Sequence, residues 1–310
     1  MLIENVSCVL CGSNTYSNII VTQDRLCHIN GDFSLVRCND CGLYYLNPRP
    51  TPEAIDIYYP LDYNSFQYKT LAQMPPLQRF TVQYGLRKRC RSVLSYKKQG
   101  YLLDVGCATG QFLAEMRRYP GWQVYGVEPN HIAANFARQA FGLDVHPGDL
   151  VSAAYADSYF DVVTLWDVLE HLHNPQETLI EIRRILKPDG YLILRTPTLD
   201  SWDAQIFGSY WAGLDTPRHL VVFSRHTLTR LLAQTGFRLH HLRTGGGSYF
   251  IVLLSLSFWL DEAVSNTNLR RAFMKIANNL AIRLITALPL TIADRLGRGS
   301  DMVVVACPKI

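Results

Sequence analysis

Four cysteines in two matched pairs, Cys8-Val9-Leu10-Cys11 and Cys38-Asn39-Asp40-Cys41, constrain this chain more tightly than any other feature. A CxxC turn sets two thiolates on one knuckle, and the glycine that follows each pair, Gly12 or Gly42, takes the backbone conformation that relieves crowding there. Two knuckles supply the four soft ligands of a closed tetrahedral site, so a structural zinc is expected on Cys8, Cys11, Cys38 and Cys41. Leu35-Val36-Arg37 and Leu43-Tyr44-Tyr45-Leu46 flank the second pair with the texture of strands, which extends the expectation to a zinc ribbon over residues 1–50. Disulfides or idle thiols are the alternative, weakened because Cys27, Cys90, Cys107 and Cys307 are scattered and form no disulfide framework. Cys27 and His28 lie between the knuckles as spare ligands, at a spacing too irregular to prefer.

With 310 residues the chain has room for one full α/β core and a small accessory module. A net charge of +4 without a dense basic stripe argues against a nucleic-acid partner, and Arg87-Lys88-Arg89-Cys90-Arg91 reads as the solvated face of a helix. The N-terminus carries no charged region followed by an apolar one, and the thiols suit a reducing compartment, so a cytoplasmic location is expected. The longest apolar run, Phe250 to Leu260, is interrupted by Ser255 and Ser257 and falls short of the roughly 20 residues that span a bilayer.

Asn47-Pro48-Arg49-Pro50-Thr51-Pro52 marks a stiff exit from the ribbon, and residues 51–100 read as a linker with a helical lead-in over Leu77 to Lys98. Tyr58, Tyr59, Tyr63 and Tyr68 suit packing of that linker onto the main domain, with a substrate-facing lid as the less favoured reading. From Tyr101 short apolar strands alternate with amphipathic helices, which argues βαβ units and a parallel sheet over residues 101–310. The strands are Tyr101 to Val105, Gln123 to Val127, Leu143 to His146, Phe160 to Trp166, Tyr191 to Arg195, Phe237 to Leu242 and Met302 to Cys307. Asn174 caps the clearest helix, with Pro175 at its first position and Glu177 completing a capping-box pattern, and Lys187-Pro188-Asp189-Gly190 ends it. An insert over residues 245–300 starts at a Gly245-Gly246-Gly247 hinge. It carries apolar helices over Phe250 to Leu260 and Leu280 to Ile292, with Arg270, Arg271, Lys275 and Arg283 near them. Helices covering the sheet edge or a homodimer contact are favoured there over peripheral contact with the inner membrane face or a lipid-linked glycan.

Asp104-Val105-Gly106-Cys107-Ala108-Thr109-Gly110 follows the first of these strands and opens the helix that holds Phe112, Leu113 and Met116. Small residues there let the backbone approach a ligand beside free helix amides. The G-x-G-x-x-G pattern fails at Ala108 and Gln111, and a carboxylate at the strand tip suits a cationic ligand better than a pyrophosphate. The segment resembles the first motif of the class I S-adenosylmethionine-dependent methyltransferases. That resemblance implies a Rossmann-like, seven-stranded, mostly parallel sheet with helices on both faces. It also implies that Asp104 receives the methionine ammonium and that Gly106 and Gly110 make room for the cofactor. Glu128, at the end of the second strand, then takes the ribose hydroxyls through charge-assisted bonds, and Asp149 accepts from the adenine amine, with Leu150 and Trp166 completing the cofactor site.

Methyl transfer from a sulfonium needs alignment above all, and a base only where the nucleophile loses a proton. Asp167, Glu170 and His171 are spelled similarly to the metal-holding residues of ubiquinone-biosynthesis O-methyltransferases; a general-base role for His171 and a purely structural role are the other readings. Tyr210 to Leu220 resembles a segment of zinc-ribbon-bearing methyltransferases of sugar and cell-surface polysaccharide pathways. His219 is its catalytic candidate and Tyr210 and Trp211 its stacking surfaces, against the plainer reading of His219 as a core residue. The resulting expectation is methyl transfer to a small-molecule or glycan-type acceptor; attack by carbon would need a base to form a carbanion or enolate, and O-methylation is favoured because this sequence does not show the further C-terminal domain of the zinc-ribbon sugar C-methyltransferases it resembles. An aromatic or quinone acceptor is the first alternative. A zinc-ribbon binding module on a methyltransferase scaffold is the second, disfavoured because Arg37 and Arg49 make a poor phosphate surface.

Overall fold

The computed structural model describes residues 2–60, 63, 68–245 and 248–309; Gly246 and Gly247 of the expected hinge lie outside the described residues. The N-terminal part is built from β1 (Ile3–Glu4), β2 (Tyr16–Gln23), β3 (Asp32–Cys38), β4 (Tyr44–Leu46) and β5 (Arg49–Pro50). Gly12 and Gly42 take φ of +74° and +76°, and each returns its amide to the first cysteine of its pair, Gly12 to the Cys8 carbonyl and Gly42 to the Cys38 carbonyl. The two knuckles face each other. Cys8 Sγ lies 3.4 Å from Cys41 Sγ, Cys11 Sγ lies 3.5 Å from Cys38 Sγ, and all four sulfurs fall within 4.8 Å of one another. Cys27 and His28 are not part of that cluster.

After this part come α1 (Pro76–Leu94), β6 (Gly100–Val105), α2 (Gln111–Met116), β7 (Trp122–Glu128), α3 (His131–Phe141), β8 (Asp144–Pro147) and β9 (Phe160–Trp166). They are followed by α4 (Pro175–Ile185), β10 (Leu186–Pro197), α5 (Trp202–Phe207), β11 (Val221–Val222), α6 (Arg225–Gln234) and β12 (Phe237–Thr244), then α7 (Ser248–Ala263), α8 (Thr267–Ala277), α9 (Leu280–Arg295) and β13 (Asp301–Pro308). The expected seven-stranded sheet is present, in the order β12-β13-β10-β9-β6-β7-β8. β6 to β10 are parallel, while β13 runs antiparallel to both β10 and β12. The strand carboxyl ends therefore line up along one edge, where such sheets bind ligands.

Two local expectations change. Leu186 to Gly190 does not close α4 as a separate turn: β10 starts at Leu186, and the register against β9 jumps between Leu186 and Tyr191, so those residues bulge out of the ladder. The insert holds a third helix, α8, whose Leu269, Phe273 and Ile276 are exposed along one face, as are Ile285, Leu288 and Ile292 of α9. Among the described residues no single helix is long and apolar enough to cross a membrane; the pair Thr267–Ala277 and Ala281–Arg295 passes by length and composition only when taken together, bent by 59°.

The ribbon is joined to the main sheet. Val221 and Val222 pair with Tyr45 and Tyr44, so β11 completes the ribbon sheet in the order β11-β4-β3-β2, while Phe223 bridges to Thr198 beyond β10. One apolar core runs from Cys8, Leu10, Val36 and Leu43 through Leu220 and Phe223 to Leu103, Val163 and Leu194. Beside it Arg218, fully buried, donates to Asp24 from both terminal nitrogens, at 2.6 and 2.9 Å, to Asp215 at 2.7 and 3.0 Å, and to the Tyr58 carbonyl at 3.0 Å. Removing one partner of such a cluster leaves the others charged and dry. Arg218→Met is accordingly expected to cost about 3–5 kcal/mol of unfolding free energy, read by denaturant titration of the full chain. A change under about 1 kcal/mol would show that water reaches the two carboxylates.

Candidate active site

A cavity of about 890 Å³ opens along the carboxyl ends of the parallel strands. Asp104, at the tip of β6, is 3% exposed and accepts a 2.6 Å hydrogen bond from the Thr164 hydroxyl of neighbouring β9. Burial, reinforced by the Glu128 charge, pushes its carboxyl up to about 7, against the pull of Thr164 and Arg89. It makes no ion pair among the described residues, so a cationic ligand would find an uncompensated acid there. Glu128, at the end of β7, accepts from the backbone amides of Ala108 at 2.8 Å and Asn130 at 2.9 Å. These bonds tie the glycine turn to the second strand and leave one lone pair on each oxygen for hydroxyl donors in the cavity. Burial nonetheless holds Glu128 above its ordinary range.

Gly106 lines the cavity, and a Cβ there would come within 2.6 Å of the Val168 side chain. Gly110 serves differently from the expectation. A Cβ at Gly110 would meet Leu143 at 2.7 Å and Ala137 at 2.8 Å, so its bareness lets α2 pack on α3 and makes no room in the cavity, which it does not line. Trp166 lines the cavity with its indole nitrogen buried and unpartnered. Asp149 and Leu150 do not line it: exposed Asp149 accepts from the Ser152 amide at 2.7 Å as a turn cap, and Leu150 is buried in the core.

Asp167 sits in the left-handed region, φ +60°, with both carboxylate oxygens engaged by Arg195, one of them at 2.6 Å from Nε, and Arg89 at 3.5 Å. Burial works to raise Asp167, yet the Arg195 and Arg89 charges outweigh it and hold the carboxyl below its usual range. That pairing takes Asp167 out of the metal set suggested by the sequence. The donors that converge are Glu170, His171 and His219, within 4.8 Å of one another. Glu170 is fully buried with neither oxygen hydrogen-bonded, and burial raises its carboxyl well above the ordinary range.

His171 lines the cavity; His219 lies behind it, 9% exposed, with the two rings 4.6 Å apart. Each Nδ1 meets a carbonyl, Arg218 at 3.0 Å for His171 and Gly213 at 2.9 Å for His219. A carbonyl only accepts, which assigns the Nδ1 protons and leaves both Nε2 atoms bare. Burial and the neighbouring His219 bring His171 down to about 3, while Asp215 pulls the other way; His219 is lowered by burial as well. Both rings are neutral at ordinary pH.

Trp211 is not a stacking surface: it is 2% exposed, packed in the ribbon-side core, and donates its indole N–H to Asp203 at 2.8 Å. Tyr210 lies under the Arg25 guanidinium, away from the cavity lining. The aromatic wall comes from the linker. Tyr59 and Tyr63 line the cavity and pack edge to face, with Tyr59 Oη 2.9 Å from His171 Nδ1 and Tyr63 donating to Asp215 at 3.0 Å. Tyr68 packs onto the main domain as expected, against Phe136 of α3, whereas Tyr58 packs against Phe33 of the ribbon strand β3. Lys88 and Arg89 of α1, read in the sequence as solvated, also line the cavity, and Arg195 and Arg243 join them. Nothing in the local sequence marks Arg195 or Arg243; the structure places each at a strand end that lines the cavity.

A glycine turn between two strand-tip acids, over a doubly wound sheet, defines a cofactor site for a cationic nucleoside-type ligand. The family described as methyltransferase domain matches residues 81–242, more than half of the chain, and the chain belongs to that family. An uncharacterised methyltransferase of Schizosaccharomyces pombe is 30% identical over 116 residues, covering 33% of this chain and 42% of the relative. The mitochondrial ubiquinone biosynthesis O-methyltransferase of the same yeast is 35% identical over 115 residues, 35% of this chain and 40% of its own. A demethylmenaquinone methyltransferase of Lactobacillus johnsonii is 29% identical over 127 residues, covering 38% and 52%. The chain thus spans about half or less of the length of these relatives. Among solved structures, a methyltransferase-titled protein of Bacillus halodurans aligns over 73% of this chain and 99% of its own, with a TM-score of 0.48 and 19% identity.

The raised Asp104 pKa has two consequences with opposite signs. The unfolded chain ionises Asp104 at its ordinary value and the folded chain only near 7, so this residue costs stability as pH rises between those values. Asp104→Asn is therefore expected to raise the melting temperature of the ligand-free protein at about pH 8 while weakening S-adenosylhomocysteine binding about ten-fold or more by calorimetry. Wild-type affinity is expected to rise between about pH 6 and pH 8 as the carboxyl ionises, and that rise is expected to vanish in the variant.

Proposed function

We propose that this chain is an S-adenosylmethionine-dependent methyltransferase acting on a hydroxyl of a small-molecule or glycan-type acceptor, with a zinc ion on Cys8, Cys11, Cys38 and Cys41 holding the ribbon. The observation that carries the catalytic part is the single continuous cavity, long enough to run from Asp104 and Glu128 past Trp166 to His171 and Tyr59. Its volume lies at the upper end of the range for small-molecule sites, which suits two ligands side by side.

S-adenosylmethionine supplies the methyl group already activated on a sulfonium. Asp104 and Glu128 orient the donor, and the Tyr59 and Tyr63 rings confine the acceptor and exclude water. The acceptor oxygen forms the new bond to carbon, the sulfur keeps the electron pair of the bond that breaks, and the hydroxyl proton passes to the bare Nε2 of His171. His171 is unprotonated at neutral pH because burial and His219 lower it to about 3, so it is free to accept a hydrogen bond from the hydroxyl, while the smaller pulls of Asp215 and Asp167 oppose that lowering. A second reading, an aromatic or quinone-like acceptor with a divalent ion beside it, draws support from the converging donors of Glu170, His171 and His219.

For the zinc, the donor set fits: the sulfurs already sit near the separations of a tetrahedral four-thiolate site. Burial pushes Cys8 up to about 11 and Cys41 further still, while at Cys38 burial is outweighed by backbone and thiol hydrogen bonds that bring it down to about 7, so a bound cation is what would hold Cys8 and Cys41 as thiolates. Purified protein is expected to hold one zinc per chain by elemental analysis, and Cys8→Ser to lose it with a fall in melting temperature. Retention of full stability after chelation would remove the metal from the account.

The activity is tested with methyl-labelled S-adenosylmethionine, panels of sugar and quinone-type acceptors, and assays with and without added divalent metal. Label in an O-methyl ether, no metal requirement, and a kcat loss of about 100-fold in His171→Ala with unchanged S-adenosylhomocysteine affinity are expected. A strict metal requirement with label on an aromatic hydroxyl would establish the second reading. Absence of cofactor binding by the wild-type chain would end both.

A further inference from the structure

Charge in the cavity is sorted by position. The acids that would face a cationic cofactor, Asp104 and Glu128, stand at the ends of β6 and β7. On the other side of the sheet, over β10, β13 and β12, the lining is cationic: Arg195 from β10, Arg243 from β12, and Lys88 and Arg89 from α1, which covers this half. Arg195 and Arg89 share the one carboxylate of Asp167, which leaves that group a net positive charge. The Lys88 ammonium makes no hydrogen bond or ion pair among the described residues, while the Lys88 carbonyl accepts from the Ser92 hydroxyl at 3.2 Å. Arg243 donates only to the Ser92 hydroxyl, at 3.2 Å, and Ser92 also lines the cavity.

Two acids lie in electrostatic range of Lys88, Asp294 and Asp301, and neither makes an ion pair with Lys88 or Arg243. Asp301 is 5% exposed and burial raises its carboxyl to about 7, so it compensates these cations only in part. Burial first, and then the Arg243 charge, presses the Lys88 ammonium below its ordinary value. Half-buried cations that repel one another across a cavity wall are stabilised by an oxyanion lying between them.

We propose that this wall is the subsite for an anionic group of the acceptor, a phosphoryl or carboxylate oxyanion held between Lys88 and Arg243. The inference rests on the reading that the cavity takes a methyl acceptor, and it narrows the class: the acceptor carries its negative charge at the β10–β12 end of the cavity, away from Asp104 and Glu128 at the ends of β6 and β7. The distribution suits a phosphorylated or nucleotide-linked sugar, or a sugar acid, and disfavours a neutral glycan.

Calorimetry on the full chain tests it, with inorganic pyrophosphate and malonate as separate probes in the presence of S-adenosylhomocysteine. At least one probe is expected to saturate, with pyrophosphate favouring a phosphoryl source and malonate a carboxylate one. Lys88→Met and Arg243→Gln are each expected to weaken it about ten-fold, Lys88→Arg to retain it, and S-adenosylhomocysteine affinity to stay within about two-fold throughout. Lack of saturable binding of either anion to the wild type overturns the proposal, as does undiminished binding in both charge-removing variants. Wild type that binds pyrophosphate but not S-adenosylhomocysteine keeps the subsite and removes the methyl-transfer reading instead.

Discussion

The buried guanidinium of Arg218 is the interaction on which the arrangement of the site depends. Its five donors are divided between Asp24 beside the ribbon sheet, the Tyr58 carbonyl in the linker, and Asp215 in the segment that precedes β11. A lysine has too few donors, in the wrong geometry, to hold three chain segments at once. With Asp215 fixed, its second oxygen receives Tyr63, its carbonyl receives the Arg218 and His219 amides, and its charge faces both imidazoles. The ribbon therefore reaches the active site through this ion cluster, and the cysteine knuckles gather at the far end of the sheet that the cluster anchors.

A second constraint is the handling of charge in a half-dry cavity. Asp167 carries a left-handed backbone that L residues seldom adopt, and its two arginine partners hold it there. The pairing leaves the acids at the ends of β6 and β7 and the cations of the opposite half as separate groups in one cavity, which a neutral His171 also lines. Such a layout favours a reaction in which a cationic donor meets an acceptor beside a neutral base, because neither ligand has to displace an internal ion pair in order to bind.

Legibility in the sequence followed how local each feature's cause was. The CxxC-Gly knuckles, the strand followed by Asp104 to Gly110, and the cap at Asn174 were readable because one turn of backbone fixes each of them. Gly110 was readable as a glycine and misread as ligand space, since its neighbours Ala137 and Leu143 come from α3 and the start of β8. Trp211 looked like a ligand platform because an indole beside a tyrosine suits a sugar, but Asp203 captures its N–H in the core. The basic run at Arg87 to Arg91 looked solvated because a helix face gives no sign of what covers it. Lys88 and Arg89 turn inward only because α1 lies across the strand ends.

By itself the sequence determined the parts: a four-cysteine cluster, a mostly parallel α/β sheet, and a cofactor turn with Asp104 and Glu128 at two strand tips, all set by residue spacing within single elements. Tertiary structure alone decided the assembly of those parts into a site. It placed Val221 and Val222 in the ribbon sheet, brought Tyr59 and Tyr63 to the cavity wall, withdrew Asp167 from the metal donors in favour of His219, and gathered Lys88 and Arg243 from elements far apart in the chain. The physical reason is that burial and net charge at a point are sums over whatever packs around it, and most of those neighbours are distant in sequence.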